Sequence, residues 1–422
     1  MEIRYTPFSE EVRANPYPFY ATLRQHAPVY FVEGLGAWAV ARHEDVRFIL
    51  SHPELFSSDA MRTMFISSKL GPDAAADPET AERMFAIASA LPFTPEEMIQ
   101  ARNLISTDPP QHEAMRKIVS RGFTPRRIAS YAERVRDVVD ACMGTLRRGG
   151  AFDLVADLAI PVPTVIIAEM LGVEPERHAD FKRWSDLVIS QSTGSGRGRS
   201  FAETGYVEMI REFSHYLLSI IEARRRNPGD DLVTTLIVAQ EEGGTLTPME
   251  VVIFSLLLLV AGNETTTNLI GNAVNVLLDH PDQLGLVCNN RALLPNVIEE
   301  IVRYEGPIQF FFRRTCEEVT LAGTKLPANA IIMPLLGSAN RDEAQFANPD
   351  VFDITRDASG HLGFGLGAHY CLGAALARLE ARIAIEALLD ELPHLRRRSP
   401  TIEYADSFLV RGPHRLELAR AA

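Results

Sequence analysis

Residues 361–373 read HLGFGLGAHYCLG, and AALARLEARIAIEALLDEL follows directly. Gly363, Gly365 and Gly367 precede Cys371, and Gly373 comes two residues after it. The second stretch is made of strong helix formers, with Ala375, Leu379, Ile383 and Ala387 on one face. Cys371 is therefore expected at the end of a glycine-rich bend and at the start of a long helix. Free backbone N–H groups and the positive end of the helix dipole favour a thiolate there. The glycines let the backbone approach a flat, bulky group closely. Cys142, Cys288 and Cys316 are far apart in sequence and form no CxxC pair with each other or with Cys371. That pattern argues against a disulfide framework or a structural zinc site.

Upstream, Thr247 to His280 reads as one helix. Thr247 is the N-cap, Pro248 occupies the first turn, Glu250 is the reciprocal capping acid, and Pro281 ends the run. At ~1.5 Å per residue it is roughly 50 Å long, enough to cross a domain. Its middle, LLLLVAGNETTTNLI, interrupts an apolar face with polar residues. Gly262 costs ~1 kcal/mol relative to Ala in mid-helix. Thr265 can return its hydroxyl to the carbonyl of Ala261, four residues earlier. Together these features are expected to open the helix locally and leave a groove beside a cofactor.

The rest of the chain is mainly helical in pattern. Tyr17–Gln25, Ala132–Leu146, Pro163–Leu171, Glu208–Arg224 and Pro295–Tyr304 show helical periodicity. PVYFVEGLGAWAVAR predicts a β-hairpin, and Ile308–Phe312, Val319–Leu321 and Ala330–Pro334 read as short strands. Met61–Arg102 reads as an irregular, lid-like segment and Ser192–Ser200 as a flexible loop. The expectation is one domain over 1–422, mostly α with small β-sheets. A net charge of −13 argues against non-specific nucleic-acid binding. The N-terminus lacks a signal-peptide pattern, and the uncharged run Val251–Asn263, 13 residues, is too short to span a bilayer. A cytoplasmic enzyme without a membrane span is expected.

The cysteine loop resembles the haem-binding loop of the cytochrome P-450 family, Phe-x-x-Gly-x-His-x-Cys-x-Gly, at Phe364, Gly367, His369, Cys371 and Gly373. The long helix resembles the family's oxygen-binding helix at Ala261, Gly262, Glu264 and Thr265. The resemblance implies a long central helix over haem b and a cysteine-ligand loop before the last long helix. It implies Cys371 as the iron ligand, with Phe364, Gly365, Gly367, Gly373 and Ala261 around the haem. Thr265 would hydrogen-bond dioxygen or an adjacent water, and Glu264 would relay protons into a water-poor site. Glu300 and Arg303, three apart on a helix, match the family's buried scaffold pair. In NPDVFDITR the family's frequent Arg before Phe is Val351, so Arg356 is the candidate third partner. For the two propionates the resemblance suggests His112, Arg116, Arg313 and His361.

If Arg313 faces the haem, strand alternation puts Gln309 and Phe311 on its side. Leu257 and Ala261 lie two turns and one turn before Thr265 on one helix face. With Phe408 and Leu409, these residues imply a mostly apolar wall with one amide, hence a small apolar organic substrate with one polar handle. No flavin or iron–sulfur motif is present, so electrons must arrive from a separate redox partner; the resemblance implies a ferredoxin or flavodoxin with its reductase, fed by NAD(P)H. Arg116, Lys117, Arg121, Arg126 and Arg127 form a basic run that could dock it. The expected activity is insertion of one oxygen atom from O2. Rival readings are a peroxide-driven peroxygenase or nitric-oxide reductase on the same haem, and a non-enzymatic haem-thiolate sensor. The Glu264–Thr265 pair argues against both.

Overall fold

A computed structural model describes residues 3–61, 85–148, 151–192, 205–241, 246–407 and 409–420. Helices dominate, and the central one runs Pro248–Asp279. Thr247 Oγ1 accepts from the Glu250 N–H at 3.2 Å, and Glu250 Oε2 accepts from the Thr247 N–H at 2.8 Å, which closes the expected capping box. The helix packs against Pro161–Met170, His178–Ser192, Leu294–Tyr304 and Ala374–Leu388. By length and composition it could cross a membrane, yet most of its apolar window is buried inside the fold. It joins two cores. Leu269, Ile270, Ala273, Val274 and Leu277 pack with the helices Ala132–Arg147, Leu294–Tyr304 and Ala374–Leu388. Val251, Val252, Phe254 and Leu259 pack with Phe181, Trp184, Phe213 and Leu217. Each such fully buried side chain stabilises the fold by about 1.5–3 kcal/mol.

The β portion is small. A five-stranded sheet has the order Val29–Val32, Ala37–Val40, Ile331–Pro334, Arg313–Thr315, Phe56–Ser57. Its first two strands form the expected hairpin, closed by Gly36 in the left-handed region. A three-stranded sheet joins Phe152–Asp153, Glu417–Arg420 and Leu395–Arg397, and Val319–Leu321 pairs with Thr324–Leu326.

Three expectations change. Ile308–Phe312 is not a strand: it makes isolated bridges at Ile308 and Phe310, and the strand begins at Arg313. Its backbone groups find scattered partners; the Gln309 N–H bonds the Leu409 carbonyl and the Phe312 N–H meets Met61 Sδ. Within 61–102, residues 85–90 and Pro95–Gln100 are helical, the latter capped by Thr94 and Glu97; 62–84 lie outside the described residues, as do 193–200 of the Ser192–Ser200 loop. The central helix is not broken at Gly262. That glycine instead lets a neighbour in, since a Cβ there would lie 2.7 Å from Ile167.

Glu300 and Arg303 are fully buried and joined by two bonds of 2.7 Å. Arg303 also donates to the carbonyls of Asn340 and Pro349. Arg356 Nε reaches Glu300 Oε1 at 3.2 Å, and its other nitrogens hold the carbonyls of Ala347, Asn348 and Val351. Arg356 thus serves as third partner although Val351 stands at the family's usual arginine position. Glu300→Gln leaves the buried Arg303 guanidinium and the partly buried Arg356 guanidinium without a carboxylate. It should destabilise the protein by about 3–5 kcal/mol in urea unfolding, and a loss below about 1 kcal/mol would show that the fold does not lean on this triad.

Candidate active site

The cysteine loop folds as its glycines require. Gly365 and Gly367 adopt φ of 71° and 69°, where a side chain would be strained. A Cβ at Gly367 would also sit 2.7 Å from the Leu50 carbonyl. The Cys371 N–H bonds the Phe364 carbonyl at 2.8 Å, and the helix Ala374–Leu388 starts three residues later. A Cβ at Gly373 would meet nothing within 4 Å. Burial pushes the Cys371 thiol up; the N–H groups of Gly373 and Ala374 and the charges of Arg116 and Arg378 pull it down, but burial prevails. The N–H groups at the helix start thus act in the direction the sequence predicts, toward the thiolate, against the opposing effect of burial. A coordinated metal cation deprotonates a thiol outright.

Beside the loop four basic side chains converge. The rings of His112 and His369 stack with centroids 4.0 Å apart. Arg116 donates to the Tyr370 carbonyl at 2.6 Å. Burial and the nearby charges of Arg313, His112 and Arg116 push His369 down to about 3. Burial lowers Arg313 to about 10, opposed by Asp108. Both ring nitrogens of His112 are buried without a hydrogen-bond partner among the described residues. A crowd of this kind, with the Asp108 carboxylate as its acidic neighbour, is suited to an anionic ligand.

His369 rather than His361 belongs to this crowd. His361 Nε2 lies 3.0 Å from Glu299 Oε2, and its Nδ1 accepts the Gly363 N–H at 3.2 Å. Both ring nitrogens of His361 are thus already engaged, one by Glu299 and the other by the loop backbone. The clue was in the sequence, because His369 is itself one of the five matched loop positions. Arg314, the alternative to Arg313, pairs with Asp59.

On the central helix Ala261 is exposed and Thr265 half-exposed, although both sit at the middle of a core helix. Both are therefore left uncovered by the neighbouring elements. Thr265 Oγ1 donates to the Ala261 carbonyl at 2.5 Å, as its spacing predicts, which leaves its lone pairs toward the open side. Glu264 is buried. The other polar residues here are spent on neighbouring helices. Asn263 donates to Thr164 Oγ1 at 2.7 Å and to Ser185, and Thr267 donates to the Ala159 carbonyl. Thr266 bonds Glu380, a buried acid of the last long helix that sequence reading missed; burial raises it to about 8, opposed by that bond.

Of the expected wall residues, Leu257 is half-buried. Phe311 is half-buried with the Arg313 guanidinium 6.0 Å from its ring. Gln309 is not a wall residue beside Arg313. It accepts from Tyr20 Oη at 3.3 Å and donates to the Gly306 carbonyl at 2.9 Å, in a separate small cavity with Tyr404, Val410 and Arg411. The irregular backbone of 308–312 breaks the alternation that placed it. Leu409 is half-buried in the core around Tyr20, and Phe408 lies outside the described residues.

A family model described as cytochrome P450 matches residues 287–418. Cytochrome P450 107B1 of Saccharopolyspora erythraea is 38% identical over 408 residues, covering 96% of this chain and 94% of that protein. The vitamin D(3) 25-hydroxylase of Pseudonocardia autotrophica is 37% identical, with 97% of this chain and 94% of that protein covered. The crystal structure of CYP109E1 from Bacillus megaterium in complex with corticosterone is 33% identical, with a TM-score of 0.82 over 98% of this chain and all of that one. The chain belongs to the cytochrome P450 family. It is a haem-thiolate monooxygenase, an oxidoreductase whose cofactor is haem b. The residues present suit that group: Cys371 beside a helix start, Ala261 and Thr265 open on the core helix, and the Arg116 and Arg313 charges with the His112 and His369 rings for two carboxylates.

Glu380 yields a pH test. Unfolded, it loses its proton near the ordinary value of 4.5; folded, it keeps the proton to about 8. The unfolded state binds fewer protons in that window, so stability is lost as pH rises through it. Glu380→Gln should raise the urea midpoint relative to wild type at pH 8, with the gap closing toward pH 4.5. An identical gap at both values would contradict the assignment.

Proposed function

We propose that this chain inserts one oxygen atom of O2 into a bulky, mostly apolar small organic molecule, with Cys371 as the sulfur ligand of the haem iron. The observation that carries this reading is the seat of Cys371, at the foot of a glycine-built loop and between two arginine charges. His112, Arg116, Arg313 and His369 would hold the propionates. Haem b supplies dioxygen activation when bound. The chain supplies the rest. Thr265 offers an acceptor oxygen to a water beside it, and the buried Glu264, one residue away, would bring protons inward from solvent. Leu257 and Ala261 give an apolar wall. With Gln309 turned elsewhere, the amide handle drops out of the substrate expectation, and a predominantly hydrocarbon molecule fits better. The names of two relatives, a vitamin D(3) hydroxylase and a P450 solved with corticosterone, agree with that class.

Electrons would come from NAD(P)H through a separate ferredoxin or flavodoxin and its reductase, in the cytoplasm. Lys117 and Arg126 are exposed for such an acidic partner. Arg116 and Arg127 are already engaged, by Tyr370 and by Thr235 with the Asp230 carbonyl. The peroxide-driven alternative is disfavoured by the half-exposed Thr265 hydroxyl beside Glu264.

Thr265→Ala tests the proton route. Substrate should still shift the haem spectrum, while the share of NAD(P)H recovered as product falls several-fold and peroxide rises to match. Unchanged coupling would remove Thr265 from the reaction.

A further inference from the structure

Below the cysteine loop, on the side of the last long helix, sits an ionic network that oxygen chemistry does not use. Glu299 is the residue before the scaffold acid Glu300, and the two carboxylates serve different structures. Arg378 approaches Glu299 as a fork, Nε to Oε1 at 2.6 Å and a terminal nitrogen to Oε2 at 2.8 Å. His361 donates to the same carboxylate from the loop. Burial raises the Glu299 carboxyl, but the Arg378 and His361 bonds outweigh it and hold it down to about 2, so it is ionised at any working pH. One acid thus ties together the helix Leu294–Tyr304, the loop and the helix Ala374–Leu388.

What Arg378 touches next gives the network its meaning. Its guanidinium lies 4.2 Å from the centre of the Phe364 ring, and it donates to Tyr370 Oη at 3.2 Å. Phe364 provides the carbonyl that takes the Cys371 N–H, and Tyr370 is the residue before Cys371. The two rings are 6.4 Å apart. Arg378 therefore grips the loop at two side chains that lead into Cys371, and adds a positive charge near it.

We propose that Glu299 is a positioning residue for the sulfur ligand: through Arg378 and His361 it fixes the Phe364 and Tyr370 rings, and hence the Cys371 loop. This rests on Cys371 being that ligand. Arg378 contributes by its charge and by its fork, and the two contributions separate by substitution. Loss of the charge disfavours the reduced, more negative site. Loss of the fork loosens the loop while leaving a cation in place.

The experiment uses haem-loaded protein. Midpoint potentials are read by mediated spectroelectrochemical titration. The reduced carbon monoxide complex is then followed as its thiolate-type band converts to the short-wavelength form. Arg378→Gln should shift the potential negative. Arg378→Lys should shift it less, yet convert several-fold faster than wild type. Glu299→Gln should also convert several-fold faster. Arg382→Gln, which removes an exposed partner of Glu386 on the same helix, should match wild type in both readouts. If Glu299→Gln fails to load haem, Arg378→Lys carries the test. Wild-type conversion rates in both Glu299→Gln and Arg378→Lys would overturn the proposal while leaving the ligand assignment intact. A wild-type protein without the thiolate-type band would overturn the ligand assignment, and the proposal with it.

Discussion

A sulfur atom that is to carry negative charge must be paid for by the protein around it. Taken without a metal, the Cys371 thiol is pushed up by burial. Two backbone N–H groups at the start of the last long helix and two arginines offset part of that cost. The loop can deliver its N–H groups because Gly365 and Gly367 take backbone angles closed to other residues, and because Gly367 clears the carbonyl of Leu50. Much of the surrounding fold serves to keep this loop in place.

The supports are ionic, and the Glu300–Arg303 pair among them is fully buried. The Glu300–Arg303–Arg356 set sews the helix Leu294–Tyr304 to the segment 340–356 through main-chain carbonyls as well as charges. Glu299, one residue earlier, holds the loop from below. Such groups contribute little net stability as pairs, but removing one partner strands the other. Their value here is geometric: carbonyl and carboxylate positions leave each guanidinium fork few alternative seats. Above the loop the central helix spends Asn263, Thr266 and Thr267 on its neighbours and leaves Ala261 and Thr265 uncovered.

Much of this was legible in the residues. Capping chemistry and a terminal proline set the ends of the central helix to within one residue. The run of strong helix formers after Gly373 became the last long helix, and Thr265 found the carbonyl four residues back. What failed shared a cause. The buried run 308–312 is apolar enough for a strand, but its backbone partners come from distant segments, which no local pattern encodes. Gln309 went wrong with it. His369 carried a clue as a matched loop position, but only the structure shows that a carboxylate 62 residues away engages His361. Glu380 was invisible because helical periodicity does not reveal that an acid faces inward against Thr266.

The most direct measurement is the reduced carbon monoxide difference spectrum of the purified haem protein and of its Cys371→Ser variant. Thiolate ligation predicts the red-shifted band in the first and its loss in the second. A short-wavelength band in well-folded wild-type protein, or an unaltered band after the substitution, would contradict it.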